Sequence, residues 1–218
     1  MYLPRHFDES RPQALAELIR SHPLATLVTL SPAGLQANPV PLLLDTGPDD
    51  GPHGTLRGHV ARANPLWREH DPAVEALAVF HGPDAYVSPG WYASKREHGK
   101  VVPTWNYAVV QARGPLRIVE DRAWLRDFVG RLTHRHEAHR SEPWHIDDAP
   151  AAFTEQLLGS IVGIEMPLTR LEGKWKLSQN RPVADRQGVI DGLRQEAAAD
   201  AADVASWMAR LEDAARPG

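Results

Sequence analysis

Proline and glycine cut this chain into short pieces, and that punctuation limits its fold more than any other feature. With 19 prolines and 16 glycines in 218 residues, turn signals recur between short candidate strands. The longest apolar runs, such as Val40 to Leu44, are far too short to span a bilayer. Between the breaks the sequence alternates. Leu24 to Leu30 reads as a buried strand, and Ser31-Pro32-Ala33-Gly34 turns it back into Leu35 to Leu44. Pro39 and Pro41 cannot donate ladder hydrogen bonds, which puts this second strand at an edge or makes it irregular. Thr55 to Val60, Ala76 to His81, Ala85 to Val87, Thr104 to Arg113 and Leu116 to Glu120 continue the series, with Gly82-Pro83 expected to separate two of them. Ser160 to Lys176 reads as a long hairpin with Gly173 at its turn or at a bulge.

Helical spacing is confined to a few places. Ser10 suits the N-cap of a first helix with Leu15, Leu18 and Ile19 on one face, and Asp121 suits the cap of a second carrying Trp124, Leu125, Phe128, Val129 and Leu132. Val183 to Ala215 is Ala-rich and helical, with a break expected near Gly192 or Asp200. Asp45 to Gly54 and Ser88 to Val102 lack a period and read as loops. Antiparallel strands with helices at both ends of the sequence imply an α+β domain built on a barrel.

Composition removes several function classes. The chain has no cysteine, which excludes disulfides, thiolate nucleophiles and zinc–thiolate sites. A formal net charge of -4 gives no general attraction to phosphate backbones, so DNA binding would need a local basic patch. Arg5, Asp8 and Glu9 interrupt the region where a signal peptide would have its apolar core, so a cytoplasmic protein without a membrane role is expected.

Four segments concentrate polar and aromatic side chains beside glycine and proline. Gly58-His59-Val60-Ala61-Arg62-Ala63-Asn64-Pro65 joins a strand to a helix, where backbone N–H groups with His59 and Arg62 suit a phosphate; equally, Asn64 can be a plain cap with Pro65 opening the helix. Tyr86 to Lys95 sets Trp91 and Tyr92 among Ser88, Ser94 and Lys95, either a wall for a planar ligand or a loop pinned to the core by Trp91. Val102-Pro103-Thr104-Trp105-Asn106-Tyr107 opens a strand in which Thr104 and Asn106 can reach a heterocycle or its polar tail, or in which Trp105 and Tyr107 simply pack. Lys174 to Arg181 gathers lysines, Ser178, Gln179 and Asn180, in a site or on a solvated turn. All four lysines of the chain (Lys95, Lys100, Lys174 and Lys176) fall within or beside the second and fourth segments.

Other chemistries lack their signatures. His134-Arg135-His136-Glu137-Ala138-His139 does not have the H-E-x-x-H spacing, and there is no G-x-S-x-G elbow, G-x-G-x-x-G or P-loop. No catalytic or metal-ligating residue is assigned.

Taken in order, Met1-Tyr2-Leu3-Pro4 with Phe7, Pro23 to Val28, Gly58 to Pro65, Ala85 to Tyr92, Val102 to Tyr107 and Lys176 to Arg181 resemble the PaiB-like, FMN-binding negative transcriptional regulators. The resemblance implies a mainly antiparallel split β-barrel, similar to pyridoxamine-phosphate oxidase-like proteins, spanning 1–181, with 182–218 as a helical extension of the same unit. It implies FMN held at the interface of a homodimer. The phosphate would lie against His59, Ala61, Arg62 and Asn64, and the ring near Ser88, Trp91, Tyr92, Lys95, Thr104, Trp105 and Asn106. Ser178, Gln179 and Asn180 would close the site. One departure stands out: such proteins tend to read Ala-x-His where this chain has Ala37-Asn38-Pro39. The functional expectation is a repressor rather than an enzyme, with DNA or a protein as partner. For direct DNA contact the best cluster is Arg122, Arg126, Arg131 and Arg135. The alternative is a flavin- or haem-dependent oxidoreductase on the same barrel.

Overall fold

The computed structural model describes residues 1–214. In chain order it contains β1 (Asp8–Glu9), α1 (Pro12–Ser21), β2 (Leu24–Ser31), β3 (Gly34–Pro41), β4 (Leu43–Asp45) and β5 (Thr55–Ala61). There follow α2 (Leu66–Glu69), β6 (Ala76–Val87), α3 (Ser94–His98), β7 (Thr104–Gly114), β8 (Arg117–Val119) and α4 (Arg122–Glu137). The chain closes with α5 (Ala151–Gly159), β9 (Ile161–Pro167), β10 (Arg170–Lys176), α6 (Val183–Gln195) and α7 (Ala201–Ala214). Two compact units result. The first comprises Met1–Leu15, His81–Val110 and the described part of Glu172–Gly218; the second comprises Ala16–Phe80 and Gln111–Leu171.

In the second unit, β2 pairs with β3 through the whole hairpin from Leu24↔Pro41 to Ser31↔Gly34, and with β6 at Thr26↔Val79 to Val28↔Leu77. β3 ends its sheet, so its two prolines cost no ladder bond on the open side. A four-stranded sheet runs β4-β5-β9-β8. Only Leu42 separates β3 from β4, and only Leu168 and Thr169 separate β9 from β10, yet in each case the two strands belong to different sheets. Such corners are the mark of a split barrel, although no ladder closes the two sheets into one ring among the described residues. Leu27, Leu56, Val60, Phe80, Leu125, Phe128, Val162 and Ile164 form its buried interior. Asp121 caps α4 as the sequence implies, its carboxylate accepting from Trp124 N–H at 2.7 Å.

In the first unit, β1, β10, β7 and β6 lie in that order, under α6 and α7. Val87, Val110, Trp175, Leu177, Ile190, Leu193, Val204 and Met208 are buried here. Arg186 joins the two helices through a short ion pair to Glu212.

Three local expectations are corrected. Gly82-Pro83 does not divide a strand: β6 runs unbroken for 12 residues, and Pro83 lies beyond the stretch paired with β2. Ser160 to Lys176 is not a hairpin, because β9 pairs with β5 and β8 whereas β10 pairs with β1. Gly173 sits inside β10 opposite Glu9, where a Cβ would stand 2.2 Å from Leu15 Cδ2. The Ser88 to Val102 loop contains two short helical turns, Pro89–Trp91 and α3. The C-terminal helix breaks between Gln195 and Ala201, at the second of the two expected places, the acidic run around Asp200, and residues 215–218 of the expected extension lie outside the described residues. α5 was not foreseen at all. Among the described residues no helix is long and apolar enough to cross a membrane.

Candidate functional site

In the second unit a cavity of about 560 Å³ opens between the β2–β3 hairpin and the start of α2. Alternation on β2 buries Ala25, Leu27, Thr29 and Ser31 on one face, so the last two buried positions carry hydroxyls where an apolar core would continue. Gln36 stands opposite Thr29 and Asn38 opposite Leu27 in the ladder. Thr29, Ser31, Gln36, Asn38 and Asn64 all line the cavity. Asn64 does two things. Its Oδ1 accepts from Leu66 N–H at 2.9 Å, capping α2, and its Nδ2 donates to Asn38 Oδ1 at 3.0 Å. Thus Asn38, next to Pro39 where the family motif departs, is coupled directly to an expected site residue.

The other expected residues of this unit are turned elsewhere. Arg62 donates to the carbonyls of Gly159 (3.0 Å) and Ile161 (3.2 Å) and pairs with Glu120 at 2.7 Å. His59 sits edge-on to Phe128 with ring centroids 5.8 Å apart, and Phe128 in turn stacks on Trp124. Its Nδ1 is buried without a partner, and burial pushes the imidazole below its ordinary pKa, which favours the neutral ring. Ala61 is exposed, and its carbonyl accepts from Asn64 N–H in the turn.

In the first unit most of the expected residues satisfy one another. Asn106 is 0% exposed; its carbonyl accepts from Ser178 Oγ at 3.1 Å and its amide donates to Met208 Sδ at 3.3 Å. Ser178 has φ 65°, the one positive value at a non-glycine among the described residues, and that strained turn aims its hydroxyl at Asn106. Gln179 folds back onto Leu177 N–H and the Trp175 carbonyl. Lys176 donates to Thr104 Oγ1 at 2.6 Å and to the Trp105 carbonyl; burial first, then Lys174 and Arg181, hold its pKa below the ordinary lysine value. Asn180 and Lys95 are exposed, and Ser88 caps the Pro89–Trp91 turn through Gly90 N–H.

Trp91 and Tyr92 pack against groups of their own unit. Gly188 and Gly192 on one face of α6 leave room for Trp91; a Cβ on Gly192 would stand 2.3 Å from its ring. Tyr92 is 2% exposed, with the Arg181 guanidinium 4.9 Å from its ring centroid. Beside it Asp185, 1% exposed, accepts from Ser94 N–H at 2.9 Å and Ser94 Oγ at 2.7 Å. Burial alone would raise the Asp185 pKa, but the two Ser94 bonds, Arg181 and His98 outweigh it and hold it low. Trp105, 54% exposed, stays open, meeting Tyr86 edge-to-face at 6.1 Å.

Sequence reasoning missed Thr29, Ser31, Gln36 and Asp185. The switch from Ala25 and Leu27 to Thr29 and Ser31 on one strand face was a readable signal. Asp185 had none, because its partner is 91 residues away.

Two antiparallel sheets exchanging strands at tight corners, with helices at the periphery and a polar cavity, define an α+β protein of the split-barrel flavin-binding class. The sequence profile of the family described as "Putative FMN-binding domain" matches residues 1–170, and the chain belongs to that family. It is 31% identical over 208 residues to Protease synthase and sporulation protein PAI 2 of Bacillus subtilis, covering 95% of this chain and 96% of that one. An uncharacterized protein of Emericella nidulans is 36% identical over 226 residues, covering 88% and 90%. Among solved structures, an FAD- and haem-binding protein from Mycobacterium smegmatis superposes with a TM-score of 0.56 at 16% identity, over 78% of this chain and 73% of the other, a likeness of fold. FMN is the cofactor of the family. The ribityl hydroxyls and the amide edge of its ring need neutral donors and acceptors, and Thr29, Ser31, Gln36, Asn38 and Asn64 fit that need in a cavity that Glu69 and His70 also line.

Proposed function

We propose that this protein is an FMN-binding transcriptional regulator of the PaiB-like type, acting as a homodimer, with FMN held in the second unit's cavity. The observation that carries the reading is the convergence of Thr29, Ser31, Gln36, Asn38 and Asn64 on one cavity in a chain of the FMN-binding family. Asn64 and Asn38 orient the polar part of the cofactor; when bound, FMN supplies a redox-active isoalloxazine ring. Support for the dimer comes from β3. The strand lines the cavity with Gln36 and Asn38, ends its sheet, and leaves Leu35 75% exposed. A second copy against this edge would cover the apolar surface and close the cavity.

The regulatory role rests on the family and on the likeness to the Bacillus protein. The arginines of α4 are engaged with groups of the protein itself. Arg122 and Arg126 are engaged with Glu155, Arg126 also with Asp147, Arg131 with Asp127 and Asp45, and Arg135 with the Arg20 carbonyl. Charges so occupied offer little to phosphates.

The test is an absorption spectrum of the purified protein, followed by gel shifts with genomic fragments with and without FMN. Flavin bands and an FMN-dependent preference for one fragment are expected. No flavin uptake overturns the cofactor assignment. FMN uptake with NAD(P)H turnover and no preferred fragment replaces the regulator by a flavin oxidoreductase.

A further inference from the structure

The first unit holds a second cavity, of about 320 Å³, lined by aromatic and acidic side chains. Its walls are Tyr86, Trp91 and Trp105; its charged lining is Asp84, Glu196 and Asp200. A neighbouring cavity of about 280 Å³ shares Asp84 and Trp105.

The aromatic side chains are fixed rather than collapsed. Trp91 is seated on α6 at Gly192, which holds one wall in place. Tyr86 and Trp105 keep an edge-to-face contact while each remains about half exposed, at 48% and 54%. Ring faces carry negative electrostatic potential, and so do carboxylates. Asp84, Glu196 and Asp200 have no cationic partner among the described residues, and neither arginine nor lysine lines the cavity. A concave site made of π-faces and unpaired carboxylates repels a phosphate and attracts a positive charge that tolerates partial dehydration.

We propose that this cavity binds a small organic cation, an alkylammonium ion, with its charged head against Trp105 and Tyr86 and its counter-charge supplied by Asp84, Glu196 and Asp200. The ammonium hydrogens or methyl groups present diffuse charge to the rings, where a compact hydrated metal ion would lose too much solvation. The site is separate from the flavin reading and does not depend on it.

The test is a titration of the full chain with choline, followed by tryptophan fluorescence at constant ionic strength. The neutral isostere 3,3-dimethyl-1-butanol serves as control. A saturable response to choline is expected, with binding about tenfold weaker for the alcohol, for Asp84→Asn and for Trp105→Leu. Asp84 is a surface residue, so its variant keeps the fold if the tryptophan change does not. Equal binding of the alcohol would reduce the site to an apolar crevice, and unchanged affinity in Asp84→Asn would do the same. No saturable response overturns the proposal outright. Competition between choline and FMN, read from flavin fluorescence, would merge the two sites and overturn their separation.

Discussion

The two units use similar residue types for opposite ends. In the second unit, Thr29, Ser31, Gln36, Asn38 and Asn64 line one cavity; Ser31 bonds its own turn and Asn38 bonds Asn64, and a ligand can use the hydrogen-bonding capacity that is left. In the first unit, Asn106, Ser178, Gln179, Thr104 and Lys176 are spent on each other, and openness is left to Trp105 and Tyr86. A buried polar group must be paired, and whether protein or ligand does the pairing separates scaffold from site. Residue identity alone does not decide it.

The strongest way to break this comparison is to remove a pairing in the first unit. Asp185→Ala leaves Ser94 N–H and Oγ without acceptors in a place water does not reach, with an expected loss of about 3 kcal/mol in chemical denaturation. A loss under about 1 kcal/mol would mean that the network is not scaffold. The effect depends on pH in a fixed direction. Because the folded carboxyl is held below its ordinary pKa, the stabilisation is complete above the normal carboxylate range and fades as pH falls through it. Wild type and variant should therefore converge in acid.

Next in size is the seat of Trp91. Gly192→Ala places a methyl 2.3 Å from the indole, so the ring or the helix must move. Overpacking of this kind costs about 2 kcal/mol. The tryptophan emission should shift at the same time, and the affinity for choline should fall, since the displaced ring is a wall of that cavity. Unchanged emission with full stability would show that α6 does not hold Trp91.

How much of this was legible follows the range of each interaction. The β2–β3 hairpin, the edge position of Pro39 and Pro41, and the Asp121 cap depend on neighbours within a few residues, and local pattern reveals them. The pairing of β9 and β10 was misread because both alternate and are almost contiguous; nothing local says that Ile161 to Pro167 belongs with β5, about a hundred positions earlier. The site divides the same way. Asn64 was readable as a cap and as a ligand group, and it lines the cavity in addition to capping. Asn106 and Ser178 carried the same signal in composition, and only their burial against Met208 reveals that they face inward.

The contrast is sharpened at the flavin cavity itself. Asn64→Ala and Asn38→Ala should each weaken FMN binding about tenfold, close to 1.4 kcal/mol, measured by flavin fluorescence quenching. Loss of the α2 cap adds a stability cost of about 1 kcal/mol for Asn64→Ala only. Coupling between the two, visible in a double-mutant cycle, is expected from their shared hydrogen bond. Additive effects would place FMN away from the pair.

The smallest effect concerns His59, a half-buried imidazole whose buried Nδ1 has no partner. Its folded pKa lies below the ordinary value, so the unfolded chain takes up a proton that the folded chain resists. Stability is unaffected above about pH 6.5 and declines as pH falls below it, before the carboxylates begin to titrate. The penalty should stay below about 1 kcal/mol, because the ring is only half-buried and water can follow the charge. His59→Gln removes the titration while keeping a polar side chain against Phe128, so its denaturation midpoint should stay flat from neutral pH down to that window while the wild type declines. FMN added in excess discriminates further. If the cofactor reaches Nδ1 it suppresses the decline; if His59 belongs to the scaffold beneath α4, the decline persists unchanged in the loaded protein, and the imidazole joins Asn106 on the side of residues that the fold itself consumes.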